Sequence, residues 1–405
     1  MAMAGYLKLV TILILALLSQ EAFAQYQIKG RVLNGESLEP VPFSTVFLNN
    51  TSFGDITELD GSFSFEIPEG DHELVISHVG FQPFTYSFST KALRNFYEFR
   101  IAPEVVDLSE LSVEAKRDES WYKNFEEFSR YFLGSSPNAA KCVIQNPEVL
   151  ILDAESDPNV LTARATDMLI IDNPNLGYQI KYVLKAFAFD KQAKQVAYAG
   201  YPFFVEDNLP KRRQSKVFQN RKEAYEGSIM HLMRTFHSNS ADSSNFVFFP
   251  AEKITVTRFV SDAMLGGDPT MKRVEDLKLN IKPGVDTLYI PGKEPLQLEK
   301  IIQQTTDGKT FITNPEPFFV YFTKEPELEP FQQYSFFNLH PSVSETRPGV
   351  TKMNSVQISK LTMRAKAVQV FDNGSYFHPY DILLEGYMGW EKIADLLPFD
   401  YQPER

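Results

Sequence analysis

The sequence has one cysteine, Cys142, in 405 residues. A single thiol cannot close an internal disulfide, so stability must come from an apolar core. Cys142 lies beside apolar residues in Ala139-Ala-Lys-Cys-Val-Ile144 and reads as a small buried hydrophobe. Positive charge is also scarce: 40 basic against 52 acidic side chains leave a net charge of -12. A surface of that sign repels phosphate backbones and anionic lipid, so nucleic acid is not expected as a partner.

Long apolar runs are confined to the start of the chain. Lys8 precedes an apolar stretch at residues 9–18, broken only by Thr11, and Ala22-Phe23-Ala24 has the form of a cleavage site. Residues 1–24 are therefore expected to be an export signal, with a mature start at Gln25. A membrane span needs ~20 apolar residues, about twice this run. No second run is long enough, so no transmembrane segment is expected after cleavage. Gln25 is not cysteine, so no lipid attachment is expected there.

Familiar chemical motifs are missing too. There is no Gly-x-Ser-x-Gly elbow, no Walker loop and no Gly-x-Gly-x-x-Gly. There is no internal repeat and no low-complexity tract. A transmembrane barrel is disfavoured by the long helical pattern near 211–236 and by Arg405 in place of a terminal aromatic.

What is present is an ordinary globular composition, 43% hydrophobic and 23% charged, long enough for two or three domains. From Tyr26 the pattern has period two. Tyr26, Ile28, Gly30 and Val32 face one way; Gln27, Lys29 and Arg31 face the other. Val46 and Leu48 continue it, then Phe63, Phe65 and Ile67, then Leu74 and Ile76, then Phe84, Tyr86 and Phe88, then Tyr97, Phe99 and Ile101, then Leu111 and Val113. Asp60-Gly61 and Glu69-Gly70 are turn dipeptides. About seven short strands at this spacing predict an antiparallel β-sandwich. Roughly twenty inward side chains, at about 1.5–3 kcal/mol each, offset much of its ordering entropy. The polar, charged stretch at 103–120 puts a domain boundary near residue 116.

These residues resemble a known family. Ile28-x-Gly30-x-Val32, Pro40-Val41-Pro42, Gly54-x-x-Thr57, Asp60-Gly61-x-Phe63 and Leu74-x-Ile76-Ser77-x-Val79-Gly80-Phe81 resemble the carboxypeptidase-regulatory-like domain. That resemblance implies a transthyretin-like Greek-key sandwich and a bacterial envelope setting. It implies no activity, because the module carries no catalytic residues. It does invite a test for metallocarboxypeptidase ligands, His-x-x-Glu plus a distant histidine. The residues three places after the six histidines are Val75, Phe81, Arg234, Ser240, Val343 and Asp381, so the motif is absent. No metal site and no cofactor is expected.

In residues 117–405, Trp121, Phe125, Phe128 and Phe132 recur at helical spacing and predict a helix over 121–133, stopped at Gly134. Residues 149–152, 161–171, 178–189 and 196–204 read as strands. A second helix is expected over 211–236. Residues 245–380 read as β-rich, with a continuous apolar strand at 318–322 and a hairpin turn at Asp372-Asn-Gly374. A short helix is expected over 390–397, followed by a polar, irregular tail. Asn175-Leu-Gly-Tyr178, Tyr198-x-Gly200, Arg221-x-x-Ala224-Tyr-x-Gly-Ser228 and Leu397-Pro-x-Asp-Tyr401 look like stretches of exported proteins that pair this sandwich with an uncharacterised domain. That similarity implies no activity.

The expected architecture is therefore mainly β: a sandwich at 25–116, then a larger β-rich domain with a few helices. One candidate binding surface stands out. Within the helix over 211–236, the window 211–223 carries Lys211, Arg212, Arg213, Lys216, Arg221 and Lys222 against Glu223 alone. Such a run is either a solvated face balanced by acidic neighbours or an anion- or partner-docking patch. The expected function is a non-enzymatic exported protein of the periplasm or outer membrane surface, binding or scaffolding an envelope protein or glycan. The rival is an envelope hydrolase using carboxylates of residues 117–405, since glycosidases need only a pair about 5–10 Å apart. The sequence singles out no such pair, and it does not set an oligomeric state.

Overall fold

A computed structural model describes residues 26–104, 117–240, 244–255, 287–334, 356–377 and 379–403. The expected signal at 1–24, the strand at Leu111 and Val113, and the boundary near 116 lie outside these residues. The chain divides into two compact units. One is Met1–Ser112 with Thr166–Met168 and Tyr201–Phe203, and the other is the remainder.

The first unit is a β-sandwich of seven strands: β1 (Tyr26–Asn34), β2 (Thr45–Leu48), β3 (Gly54–Ile56), β4 (Ser62–Ile67), β5 (Asp71–Ser77), β6 (Phe84–Ser89) and β7 (Tyr97–Ile101). One sheet has the order β4-β1-β7 and the other β3-β2-β5-β6. Alternation sets which side chains meet between them. Phe63, Phe65 and Ile67 point inward while Ser64 and Glu66 stay in solvent. They join Ile28, Val32, Val46, Leu48, Leu74, Ile76, Tyr97, Phe99 and Ile101 in one core. Gly61 has φ +77, and a Cβ there would lie 2.5 Å from the Val32 carbonyl oxygen, so the Asp60-Gly61 turn needs glycine. Two features depart from expectation. β7 runs parallel to β1, so the sandwich is not wholly antiparallel. β3 is a strand too short to show a period.

The second unit holds two cores. Around the first lie α1 (Glu119–Leu133), β8 (Val143–Ile144), β9 (Leu150–Asp153), β10 (Val160–Ala165), β11 (Leu169–Asn173), β12 (Tyr178–Asp190) and β13 (Gln195–Glu206). Asp118 caps α1 by accepting from the Ser120 and Trp121 N–H groups, and Gly134 at φ 101 ends it. The aromatic stripe of α1 packs as expected: Phe128 meets Phe187 at 4.8 Å and Phe132 meets Tyr182 at 5.1 Å between ring centroids. The strand expected over 161–171 is two strands. β10 and β11 lie on opposite sides of β12, so the chain must break and cross it between Ala165 and Leu169.

Around the second core lie β14 (Phe246–Thr255), β15 (Thr287–Pro291), β16 (Ile302–Gln304), β17 (Thr310–Ile312), β18 (Phe318–Phe322), β19 (Gln357–Met363), β20 (Val368–Val370), β21 (Tyr376–Phe377) and β22 (Ile382–Gly386). They form sheets of order β15-β14-β18-β19-β22 and β16-β17-β20-β21. β18 is central, which is why its sequence is apolar without alternation. Asp372-Asn-Gly374 turns β20 into β21 as expected.

The helix expected over 211–236 is two: α2 (Lys211–Tyr225) and α3 (Ile229–Ser238). Gly227 at φ +81 breaks the helix, and Ser228 caps α3 by accepting from the His231 N–H. A further short helix, α4 (Glu329–Tyr334), follows β18. The helix expected over 390–397 is one turn, α5 (Tyr387–Trp390), and a separate 3-10 turn at Ile393–Asp395. Glu391 and Lys392 between them are extended. That extension lets Ile393 and Leu397 enter the first core. The tail is irregular but not polar in its packing: Phe399 and Tyr401 cover the same core, and Arg234 donates to their carbonyls at 3.1 and 2.9 Å. Among the described residues no helix is long and apolar enough to cross a membrane.

Candidate functional site

Of the six basic residues of α2, five remain on a solvent face. Lys211, Arg212, Arg213, Lys216 and Lys222 are exposed. Arg213 also donates to the Pro174 carbonyl at 3.1 Å. Lys211, Arg212, Lys216 and Lys222 have no carboxylate within ion-pair distance among the described residues. The start of α2 concentrates this charge. Three cations occupy its first turn, no acidic residue does, and Pro210 offers no capping side chain. A helix N-terminus already carries partial positive charge, so cations there are unfavourable unless an anion meets them.

Arg221 does not belong to that face, which corrects the expectation for this residue. It is 5% exposed. Its guanidinium donates to the carbonyls of Leu176 at 2.7 Å and Gly177 at 3.1 Å and to Glu206 at 2.6 Å. It also lies 3.8 Å over the Tyr178 ring. The helical period explains the switch, because position 221 shares the inward stripe with Val217, Ala224 and Tyr225. Around it the separately recognised stretches meet. Asn220 donates to the Asn175 carbonyl, Tyr225 lies 5.8 Å from Tyr401, and Asp400 is near enough to act on the Tyr178 hydroxyl. Burial pushes that hydroxyl well above the ordinary tyrosine range. These contacts are mutually satisfied and serve to hold the fold.

A second cluster was not visible in the sequence. Glu226 follows α2, Glu325 and Glu327 follow β18, and Glu391 and Asp395 flank Lys392 after α5. Lys324 pairs with Glu226 at 2.5 Å, while the Lys392 ammonium is held by the Gly389 carbonyl. Burial raises Glu325 to about 7, helped by a hydrogen bond with the Glu226 carboxyl. Burial alone raises Glu327 to about 7, against a bond from the Ile358 N–H. Glu391 is pushed well above the carboxylate range by burial and by Asp395 and Glu325, and Lys392 falls to about 8 through burial. Asp395 accepts from Ser136 at 2.8 Å and Asn138 at 3.0 Å, yet its other oxygen is buried without a partner. The carboxylates come from three separate segments, so no local spacing could announce them.

This cluster sets a pH dependence. A carboxyl whose folded pKa lies above its unfolded value binds its proton more tightly when folded. Its stabilisation is full below about pH 4.3 and is lost as pH rises through about 7. Glu325→Gln, which mimics the protonated form, should therefore raise the melting temperature by about 2–4 °C at pH 8 and leave it nearly unchanged at pH 4. Equal shifts at both pH values in a thermal melt would contradict this.

Among the described residues, histidine and cysteine side chains are not gathered into one site. His231 is held neutral, lowered to about 4 by burial, and Cys142 is raised to about 12 by burial. Among the described residues no group of three or more His, Cys, Asp or Glu side chains could hold a metal ion. His340 and His378 lie outside them.

Residues 28–113 match the family described as CarboxypepD_reg-like domain, so the N-terminal module is a carboxypeptidase-regulatory-like domain. No curated protein matches the chain. Solved structures similar to parts of it include a DUF3823 family protein from Bacteroides ovatus, 13% identical, covering 46% of this chain and 83% of that one at a TM-score of 0.17. Another, from Bacteroides uniformis, is described as a candidate carbohydrate binding protein; it is 13% identical and covers 44% of this chain and 78% of its own, at 0.17. A candidate membrane-associated protein of unknown function from Bacteroides fragilis is 10% identical, covering 73% and 87%, at 0.16. Overlaps of this size establish neither architecture nor ligand for this chain.

Proposed function

We propose that the chain is a non-enzymatic exported protein of the periplasm or outer membrane surface that binds or scaffolds envelope components through α2. The observation that carries this reading is the unneutralised basic face of α2 on a chain of net charge -12. Local charge of the minority sign selects partners of the majority sign, here an acidic envelope protein or glycan. The regulatory-like module supports the non-enzymatic part of the reading, since modules of this kind carry no catalytic residues of their own. The test is capture from cross-linked envelopes. Lys211→Glu with Arg212→Glu and Lys216→Glu should reduce specific capture at least about tenfold at low salt. Capture unchanged by the triple reversal would sink the reading.

One observation favours the rival. Glu325, Glu391 and Asp395, all with raised pKa values, converge beside Glu226, as an envelope hydrolase using carboxylates would require. Release of sugar or peptide from purified envelopes, lost on Glu391→Gln, would make that reading the better one.

A further inference from the structure

We propose that the chain self-associates head to tail, the apolar end of one copy's N-terminal sandwich receiving α2 of the next. The proposal rests on the α2 reading for one half of the contact and names its partner. The other half is an end of the sandwich that no function has yet absorbed. Leu38, Phe43, Ile56, Leu59 and Val79 are all exposed, Phe43 at 67% and Leu59 at 76%. The strand registers bring them to one end. Leu38 follows β1, whose Asn34 pairs with Ile101. The Phe43 N–H donates to the Thr57 carbonyl, and Ile56 pairs with Thr45. Leu59 lies in the turn before β4. Val79 lies in the turn after β5, whose Ser77 also pairs with Thr45. Leu38 and Phe43 have φ of 63 and 61, a left-handed backbone that bulky residues rarely adopt. Neither is buried, so core packing does not explain them.

The surroundings of this end say what would cover it. Glu36, Glu39, Glu58 and Glu104 are exposed and have no ion-pair partner among the described residues. The nearby cations are already taken: Arg31 lies 3.8 Å from Asp60, and Arg100 lies 3.0 Å from Glu98. An apolar centre with a negative rim fits an apolar side chain flanked by cations. α2 presents that chemistry. Lys211, Ser215, Phe218 and Lys222 follow at helical spacing on one face, with Phe218 exposed, and Arg212 and Lys216 lie on the next stripe. The two surfaces differ, so the contact is heterologous and leaves one free half on each outer copy. A contact this small belongs to the weak, micromolar class.

Sedimentation velocity of the full exported chain tests this. Mean mass should rise over roughly 5–200 µM at low salt and fall back at about 0.5 M NaCl. Phe43→Gly with Leu59→Ser should weaken association at least about tenfold. Glycine suits the left-handed backbone at 43, so the melting temperature should hold or rise, which separates lost contact from lost fold. Lys211→Glu with Lys216→Glu and Phe218→Ser should block the other half. Each variant alone should be monomeric, and a mixture should form one-to-one dimers and nothing larger. A monomeric parent chain, variants that associate as the parent does, or a mixture without dimers would overturn the proposal. If the parent is monomeric while α2 reversal still lowers envelope capture, only this inference falls. If neither capture nor association responds to α2 reversal, the α2 reading falls as well.

Discussion

Arg221→Ala is expected to lower the melting temperature by on the order of 10 °C, the largest effect of any single substitution considered in this protein. The loss follows from what the guanidinium holds. It donates to two backbone carbonyls, Leu176 and Gly177, in the turn between β11 and β12. It stacks 3.8 Å over Tyr178, the first residue of β12. Truncation takes the guanidinium donor from the Leu176 carbonyl and one of two donors from the Gly177 carbonyl, which still accepts from the Asp207 N–H at 3.0 Å, and it empties the space over the ring. The two lost hydrogen bonds from a charged donor are worth about 1.5–3 kcal/mol each, and each kcal/mol moves the midpoint by roughly 2–4 °C in a domain of this class. The ion pair to Glu206 contributes little, because the Glu206 side chain is 61% exposed. Arg221→Lys should recover little of the loss, since one ammonium cannot reproduce a planar fork that both donates and stacks. Lys222→Ala, next door on the exposed face, should change stability by no more than about 0.5 kcal/mol. Thermal denaturation of the three variants side by side checks this. A shift within about 2 °C for Arg221→Ala would mean that Arg221 does not tie α2 to the β11–β12 turn.

Gly227→Ala should cost about 2–5 kcal/mol, in two separable parts. The backbone at Gly227 has φ +81, which penalises any Cβ by about 1–2 kcal/mol. A methyl group there would also lie 2.3 Å from the Gln357 side-chain oxygen and 2.9 Å from the Phe322 ring. Gln357 is 5% exposed and cannot swing into solvent, so overpacking adds about 1–3 kcal/mol. Gly308 is the internal control. It has the same φ, +81, but nothing within 4 Å of a Cβ. Gly308→Ala should therefore show the conformational cost alone. Denaturant melts that place the two alanine variants level would show that Phe322 and Gln357 yield, and that the α2–α3 break is set by backbone conformation only.

Those two positions also mark where local reading succeeds and where it stops. Period-two alternation found Phe63, Phe65 and Ile67 because an antiparallel sandwich has one wet face and one dry face on each strand. The apolar run at 318–322 was equally plain, since a central strand is dry on both sides. The α2–α3 break is hidden in the sequence, despite Gly227 and Ser228, because the apolar stripe continues across it from Tyr225 to Ile229. The basic neighbours of Arg221 in sequence place it on the solvent face. Only the helical register turns it inward, and only the turn at Leu176 and Gly177, 44–45 residues earlier, supplies the acceptors.

By itself, then, the sequence determined the mainly β architecture, the identity of the N-terminal module, the missing disulfide and the absence of a His-x-x-Glu site. These follow from local period, turn chemistry and residue counts. Tertiary structure alone decided which cations stay exposed on α2, and it alone brought Glu226, Glu325, Glu391 and Asp395 together. The physical reason is range. Alternation and capping act over a few residues, whereas burial of a charge depends on which distant segments pack around it. Ser136 and Asn138 reach Asp395 across more than 250 residues, and no pattern along the chain records that distance.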